Sequence, residues 1–196
     1  MTKAERTRQY IIDVTAPVFN RRGYAGTSLM DITKATRLTK GALYGNFNNK
    51  EEIALAVFHH SMQKLREAVN KEVIKSATSK EKLLRFFGFY GKYVFKTPVP
   101  GGCPLMNNAV EADDNNFFLK KAVALEAKKV VDYLEKIIIS GMQQGEFRGD
   151  IKAKEIATMF FCSIEGAIVL SRVSSSDFTM KAVINQCKQL LEQISL

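Results

Sequence analysis

Apolar residues recur along the chain at three- and four-residue intervals. No segment shows the strict alternation closed by turn dipeptides that marks a hairpin, so the pattern predicts an all-α protein. Ile11, Val14 and Val18, flanked by Ile12, Ala16 and Phe19, make a wide apolar stripe from about residue 4 to 22, and Gly23 ends it as a C-cap. Pro17 removes one backbone donor from that helix and is expected to kink it near Asp13. Ser28 followed by Asp31 reads as a capping box opening a short helix, and Thr39 caps a second one from Lys40 to Phe47. Thr36-Arg37-Leu38 forms the turn between them. Asn48 or Asn49 then starts a long helix to about Lys75, through Ile53, Val57, Phe58, Met62, Leu65 and Val69. Glu51 and Glu52 in its first turn suit the positive end of the helix dipole.

Beyond Ser76-Ala77-Thr78-Ser79, a helix to about Lys96 is dense in rings: Phe86, Phe87, Phe89, Tyr90, Tyr93 and Phe95. Residues 97–102 are a Pro- and Gly-rich loop, and Pro104 suits the first position of a short helix. Asp113-Asp114-Asn115-Asn116 opens a long helix from Phe117 to about Gln144, which Gly145 closes. Asp150 is expected to cap a strongly apolar helix through Ile156, Phe160, Ile164, Ala167, Ile168 and Leu170, and Ser176 or Asp177 starts a last one to about Ile194. The last two, at about 151–173 and 177–194, are too apolar for surface elements. They are candidates for a four-helix homodimer interface or, alternatively, for the domain core.

Composition narrows the class. A chain of 196 residues with 46% hydrophobic content buries a substantial core, and only four prolines and no low-complexity tract leave little room for disorder. No run approaches the roughly 20 apolar residues of a bilayer span, and the N-terminus lacks a signal-peptide core, so a cytoplasmic protein is expected. Cys103, Cys162 and Cys187 are odd in number and far apart, which fits a reducing compartment and spells no zinc site. Net charge is +9 and unevenly placed: residues 1–50 hold nine Lys/Arg against Glu5, Asp13 and Asp31 alone. Concentrated cations of this kind suit phosphate neutralisation.

Two short capped helices three or four residues apart, after a longer one, are the helix-turn-helix arrangement, whose last helix enters the major groove. Leu29, Ile32, Leu43 and Phe47 would form its small core, leaving Lys40, Gly41, Ala42, Tyr44 and Asn46 facing outward. Small residues at 41 and 42 let the backbone approach bases, and Asn46 can bond a base edge or phosphate. Lys50 opposes the dipole at a helix start unless an anion docks there. Thr27 and Ser28 could serve a phosphate in the same way at the previous helix.

The run Phe19-Asn20-Arg21-Arg22-Gly23-Tyr24-Ala25-Gly26-Thr27-Ser28 through Asp31-Ile32, then Leu38 to Tyr44, Phe47 and Lys50-Glu51-Glu52, resembles the DNA-binding domain of the TetR family. That resemblance implies a homodimeric, Ω-shaped transcription regulator of about nine helices, usually a repressor, released from a palindromic double-stranded operator when a small molecule enters the larger domain. It also implies DNA contacts by Thr39, Lys40, Ala42, Tyr44 and Asn46, with Lys50 on a phosphate. Residues 1–50 would then be the reading domain (helix-turn-helix about 28–47) and 51–196 the ligand-binding and dimerisation domain. Arg37 stands where the family commonly has glycine, so it is expected to take a left-handed conformation at a cost of about 1–2 kcal/mol. Asn46 stands where many members carry histidine.

Phe86, Phe89, Tyr90 and Tyr93 share one helical face, which is either plain core or, with Met106, Met142 and Met159, the lining of an adaptable pocket for an apolar or aromatic effector. Cys103, ahead of Pro104 at a helix start, is a second sensor candidate for electrophiles, against an inert thiol. Glu111, Asp113 and Asp114 read as capping residues, and His59 and His60 as exposed helix positions. No Ser/His/Asp grouping or phosphate loop is present in the sequence, so neither an enzyme nor a cofactor or metal is expected. A helical carrier of lipids or aromatics and an architectural DNA binder without ligand are the competing readings.

Overall fold

The computed structural model describes residues 2–94, 96–114 and 117–196, with Asp114 described by its backbone alone. Phe95 and the Asn115-Asn116 start signal therefore lie outside the described residues. Nine helices are found among those described: α1 (Lys3–Arg22), α2 (Leu29–Thr36), α3 (Lys40–Tyr44), α4 (Lys50–Val73), α5 (Ser79–Tyr93), α6 (Pro104–Asp114), α7 (Phe117–Gln143), α8 (Ala153–Val173) and α9 (Phe178–Ile194). Only an isolated bridge between Phe147 and Ser195 has extended pairing among them. The chain forms two compact units, Met1–Leu65 with Val99–Glu126 and Arg66–Pro98 with Ala127–Leu196, whose boundaries fall inside α4, in the loop between α5 and α6, and inside α7.

Helix starts follow local chemistry. Thr2 and Glu5 make a reciprocal capping box for α1, which begins a residue earlier than the apolar stripe suggests and runs on through Pro17. Ser28 and Asp31 make the expected box for α2, and Arg37 ends α2 in the left-handed region at φ 57°. Two of the expected helix ends need correction. Helix α3 stops at Tyr44 rather than Phe47, because the Asn46 side-chain amide donates to the Ala42 carbonyl at 2.9 Å while the Asn46 backbone amide turns to the Leu43 carbonyl at 3.0 Å. The side-chain bond satisfies the carbonyl that the Asn46 backbone amide would have used in a longer helix. Asp150 does not cap α8. Both its oxygens are taken by the Arg148 guanidinium at 3.1 and 2.7 Å, and α8 starts at Ala153 without a side-chain cap.

The first unit has a small apolar core of Ile11, Phe19, Ile32, Leu43, Phe47, Ile53 and Val57. Around it run polar ties of long sequence separation. Asn20 is buried, and its amide nitrogen lies 3.3, 3.2 and 3.0 Å from the carbonyls of Val99, Pro100 and Gly102. Asn107 returns the contact, donating to the Asn20 carbonyl at 2.8 Å and to its side-chain oxygen at 3.1 Å. Gly101, at φ 125°, fits here because a Cβ would lie 2.7 Å from the Asn20 carbonyl. Glu111, far from being a helix cap, accepts the backbone amides of Tyr24 and Ala25 at 2.6 and 3.1 Å. His60 is likewise not exposed as His59 is: it is half-buried, with Nε2 2.9 Å from Asp13 Oδ1.

The second unit is packed by rings and aliphatic chains: Phe86, Phe87, Tyr90, Tyr93, Leu134, Ile138, Phe160 and Ile164 are all buried. Phe86 meets Tyr90 at 4.8 Å between centroids and Phe87 meets Phe160 edge-on at 4.9 Å. Each such side chain contributes about 1.5–3 kcal/mol by leaving water. Helix α8 is the one described helix long and apolar enough to cross a membrane by length and composition; Phe160, Ile164, Ala167 and Ile168 are buried core, whereas Leu170 and Val173 are exposed.

Candidate nucleic-acid interface

The candidate surface is built by α2, the turn at Arg37 and α3, all within the first unit. Thr39 anchors the start of α3, its hydroxyl accepting the Ala42 amide at 3.2 Å, and the residue is exposed. Leu43 and Phe47 point into the core with Ile32, as the sequence pattern requires, and Leu29 packs partly buried against them. The opposite face carries Lys40, Gly41 and Tyr44, all exposed, with Tyr44 44% accessible. Ala42 is half-buried. Ser28 is exposed, and Asp31 binds both its backbone amide and its hydroxyl. Those bonds hold the Asp31 carboxyl below its ordinary range, the Ser28 hydroxyl first, with Arg22 helping.

Three predicted contact residues have other duties here. Thr27 is fully buried, its hydroxyl donating to the Gly23 carbonyl at 2.6 Å and its amide to Tyr24 at 3.3 Å. The Lys50 ammonium, expected at a phosphate, turns inward instead: it donates to the carbonyls of Tyr24 and Thr27 at 2.7 and 2.6 Å and sits 4.0 Å from the centre of the Tyr24 ring. Burial pushes its pKa down, against the pull of Glu111. Two carbonyls and a ring face thus compensate a cation at a helix start, which was the argument for an external anion. Asn46 is half-buried and commits one of its two side-chain N–H donors to Ala42, leaving the other and its side-chain oxygen for a partner outside.

Sequence reasoning missed Arg8. From α1 its guanidinium lies 3.9 Å over the Phe47 ring, donates to the Asn46 carbonyl and donates to Glu52 Oε1 at 2.6 Å. Its partners lie 38 and 44 residues away, so no local spacing signals them. Glu52 also accepts the Asn48 backbone amide at 2.8 Å, and that bond first, then Arg8, holds its carboxyl below the usual range.

The predicted sensing residues do not share one compact unit: Cys103 and Met106 belong to the first, and Phe86, Phe89, Tyr90, Tyr93, Met142 and Met159 to the second. Phe86, Tyr90 and Tyr93 are buried and Phe89 half-buried, its ring 5.2 Å from Tyr90 and 5.7 Å from Tyr93. Met106 and Met142 are half-buried, whereas Met159 is 37% exposed and lines two open clefts along α8. Cys103 is 1% exposed, so its thiol is withheld from solvent electrophiles, contrary to a sensor's need. Cys187 is also buried, which pushes its thiol up to about 11, and Cys162 is the exposed cysteine. Among the described residues no three His, Cys, Asp or Glu side chains are grouped to hold a metal.

Two family models match this chain: one described as "Bacterial regulatory proteins, tetR family" over residues 11–57, and one described as "Tetracyclin repressor-like, C-terminal domain" over residues 79–187. A solved TetR-family transcriptional regulator from Cytophaga hutchinsonii is 38% identical, covers 100% of this chain and 98% of its own, and superposes with a TM-score of 0.94. The transcriptional repressor DhaR of Mycobacterium sp. strain GP1 is 25% identical over 85% of this chain and 82% of its own length. A cysteine-substituted CifR, solved with a 26-bp double-strand operator, shares the fold at a TM-score of 0.83 and 18% identity, covering 92% of this chain and 94% of its own.

Proposed function

This chain belongs to the TetR family of DNA-binding transcriptional regulators, and on that premise we propose that it is a homodimeric repressor that leaves a palindromic operator when a small apolar or aromatic molecule binds its larger part. Residues 1–50 are the reading domain and 51–196 the sensing and dimerisation domain. Ser28, Thr39, Lys40, Gly41, Ala42, Tyr44 and the Asn46 side-chain amide are the DNA contacts, while Thr27 and Lys50 hold the turn that supports them.

The observation carrying this reading is the open face of α3. Lys40 and Tyr44 are exposed and hold no side-chain hydrogen bond to any described residue, although Thr39 and Asn46 fix both ends of the same helix. A short, rigidly held helix with free polar groups and two small residues suits major-groove readout. The repressor sign rests on DhaR. Dimerisation through α8 and α9 is supported by Leu170, Val173 and Phe178, exposed by 58, 82 and 75%. The aromatic set on α5 supports an apolar effector. Such an effector acts only by binding the DNA-free form more tightly. No catalytic step is assigned, and the protein works in the cytoplasm beside its DNA.

Selection of bound sites from random duplex DNA at near-physiological salt tests the central claim. Enrichment of a palindrome with half-sites about 34–36 Å apart is expected. Salt-sensitive binding without enrichment would refute sequence-specific repression.

A further inference from the structure

We propose that Arg8 is a positioning residue for the DNA-reading helix: it is a clamp from α1 that sets the orientation of α3 without touching DNA. Helix α3 has five residues, too few to hold itself in water, so something outside it must fix its end. Leu43 and Phe47 give it an apolar seat, but apolar contacts resist rotation about the helix axis weakly. The Arg8 guanidinium supplies the directional part. One nitrogen donates to the Asn46 carbonyl, a second to Glu52 Oε1 at 2.6 Å, and the plane lies 3.9 Å from the centre of the Phe47 ring.

Glu52 extends the clamp. Its other oxygen accepts the Asn48 backbone amide at 2.8 Å and side-chain amide at 2.9 Å, so one ion pair brackets residues 46–48 from both sides. A planar fork can hold a carbonyl, a carboxylate and a ring face together, and a lysine ammonium cannot. Arg8 and Glu52 are both partly shielded, with side-chain exposures of 37 and 31%, and the two named donors are spent inward. A phosphate-binding arginine in this basic segment would point its donors out.

The inference rests on the DNA-binding role of α3 and is tested on the full-length chain with and without DNA. Without DNA, hydrogen exchange of the amides of Asn46, Phe47 and Asn48 in Arg8→Ala is expected to quicken about tenfold, with Arg8→Lys restoring little of the loss. With DNA, affinity for the selected operator should fall about tenfold while affinity for a scrambled duplex of equal length stays within about twofold. The slope of log affinity against log salt should not change. Glu52→Gln, which keeps the fold but weakens the pair, should give a smaller shift of the same kind. If the salt slope drops by about 0.9 and both duplexes lose affinity together, Arg8 is a phosphate ligand and the proposal is overturned. Unaltered exchange at residues 46–48 overturns it equally, even where no operator is found. An absent operator with quickened exchange instead faults the sequence-specific reading and leaves the clamp standing.

Discussion

The two compact units solve the same problem with different forces. In the first, a modest apolar core is overlaid by polar ties that join distant parts of the chain: Arg8 to Asn46 and Glu52, Asn20 to residues 99–102, Glu111 to Tyr24 and Ala25, and Lys50 to Tyr24 and Thr27. In the second, buried rings on α5 meet each other and Phe160 of α8. Hydrogen bonds fix angles, while apolar packing fixes volume and tolerates rearrangement. A unit that presents one short helix in one orientation needs the first kind. The apolar effector proposed for the larger part of the chain would be better served by the second.

The largest effect expected is on the apolar side. Phe160→Ala removes a fully buried ring and should cost about 3–5 kcal/mol, whereas Phe160→Leu should cost less than half of that; denaturant titration of both measures the gap. The polar side should show the reverse tolerance. Asn20→Asp changes almost no volume, yet it turns a donor facing three carbonyls into an acceptor and should cost about 3 kcal/mol by the same titration. An Asn20→Asp variant as stable as the parent would break the comparison. Arg37→Gly relieves a left-handed residue and should stabilise the first unit by about 1 kcal/mol, read as a raised denaturation midpoint.

Acid gives the finest test. Asp31 and Glu52 are held below the ordinary carboxylate range by bonds to Ser28 and Asn48 that exist only in the folded chain. Their contribution is therefore full above the unfolded carboxylate pKa of about 4 and is lost as pH falls through their lower folded values. Melting curves between about pH 6 and pH 3 should show a decline in Tm that Asp31→Asn and Glu52→Gln each make shallower.

Much of this was legible in the sequence because its causes are local. The Ser28–Asp31 box, the Thr39 cap and the left-handed Arg37 are settled within four residues, and the buried faces of α1 and α5 follow from helical period. Part of what escaped is non-local. Lys50 looked like a phosphate hook because its compensating carbonyls lie 23 and 26 residues upstream. Two misses were local: the Thr27 hydroxyl turns to the Gly23 carbonyl four residues back, and the short α3 hid behind an Asn46 side chain that bonds Ala42 where periodicity would continue. The period also marks Tyr90 and Tyr93 as inward-facing without separating a filled core from a pocket wall.

The burial of two of the three thiols gives the chain a native chemical handle. A maleimide dye added at neutral pH should couple to Cys162 at one label per chain, while Cys103 and Cys187 react only on unfolding. Since α8 carries that label on its open side, its fluorescence would report on whatever covers this helix, with no cysteine engineered in or out.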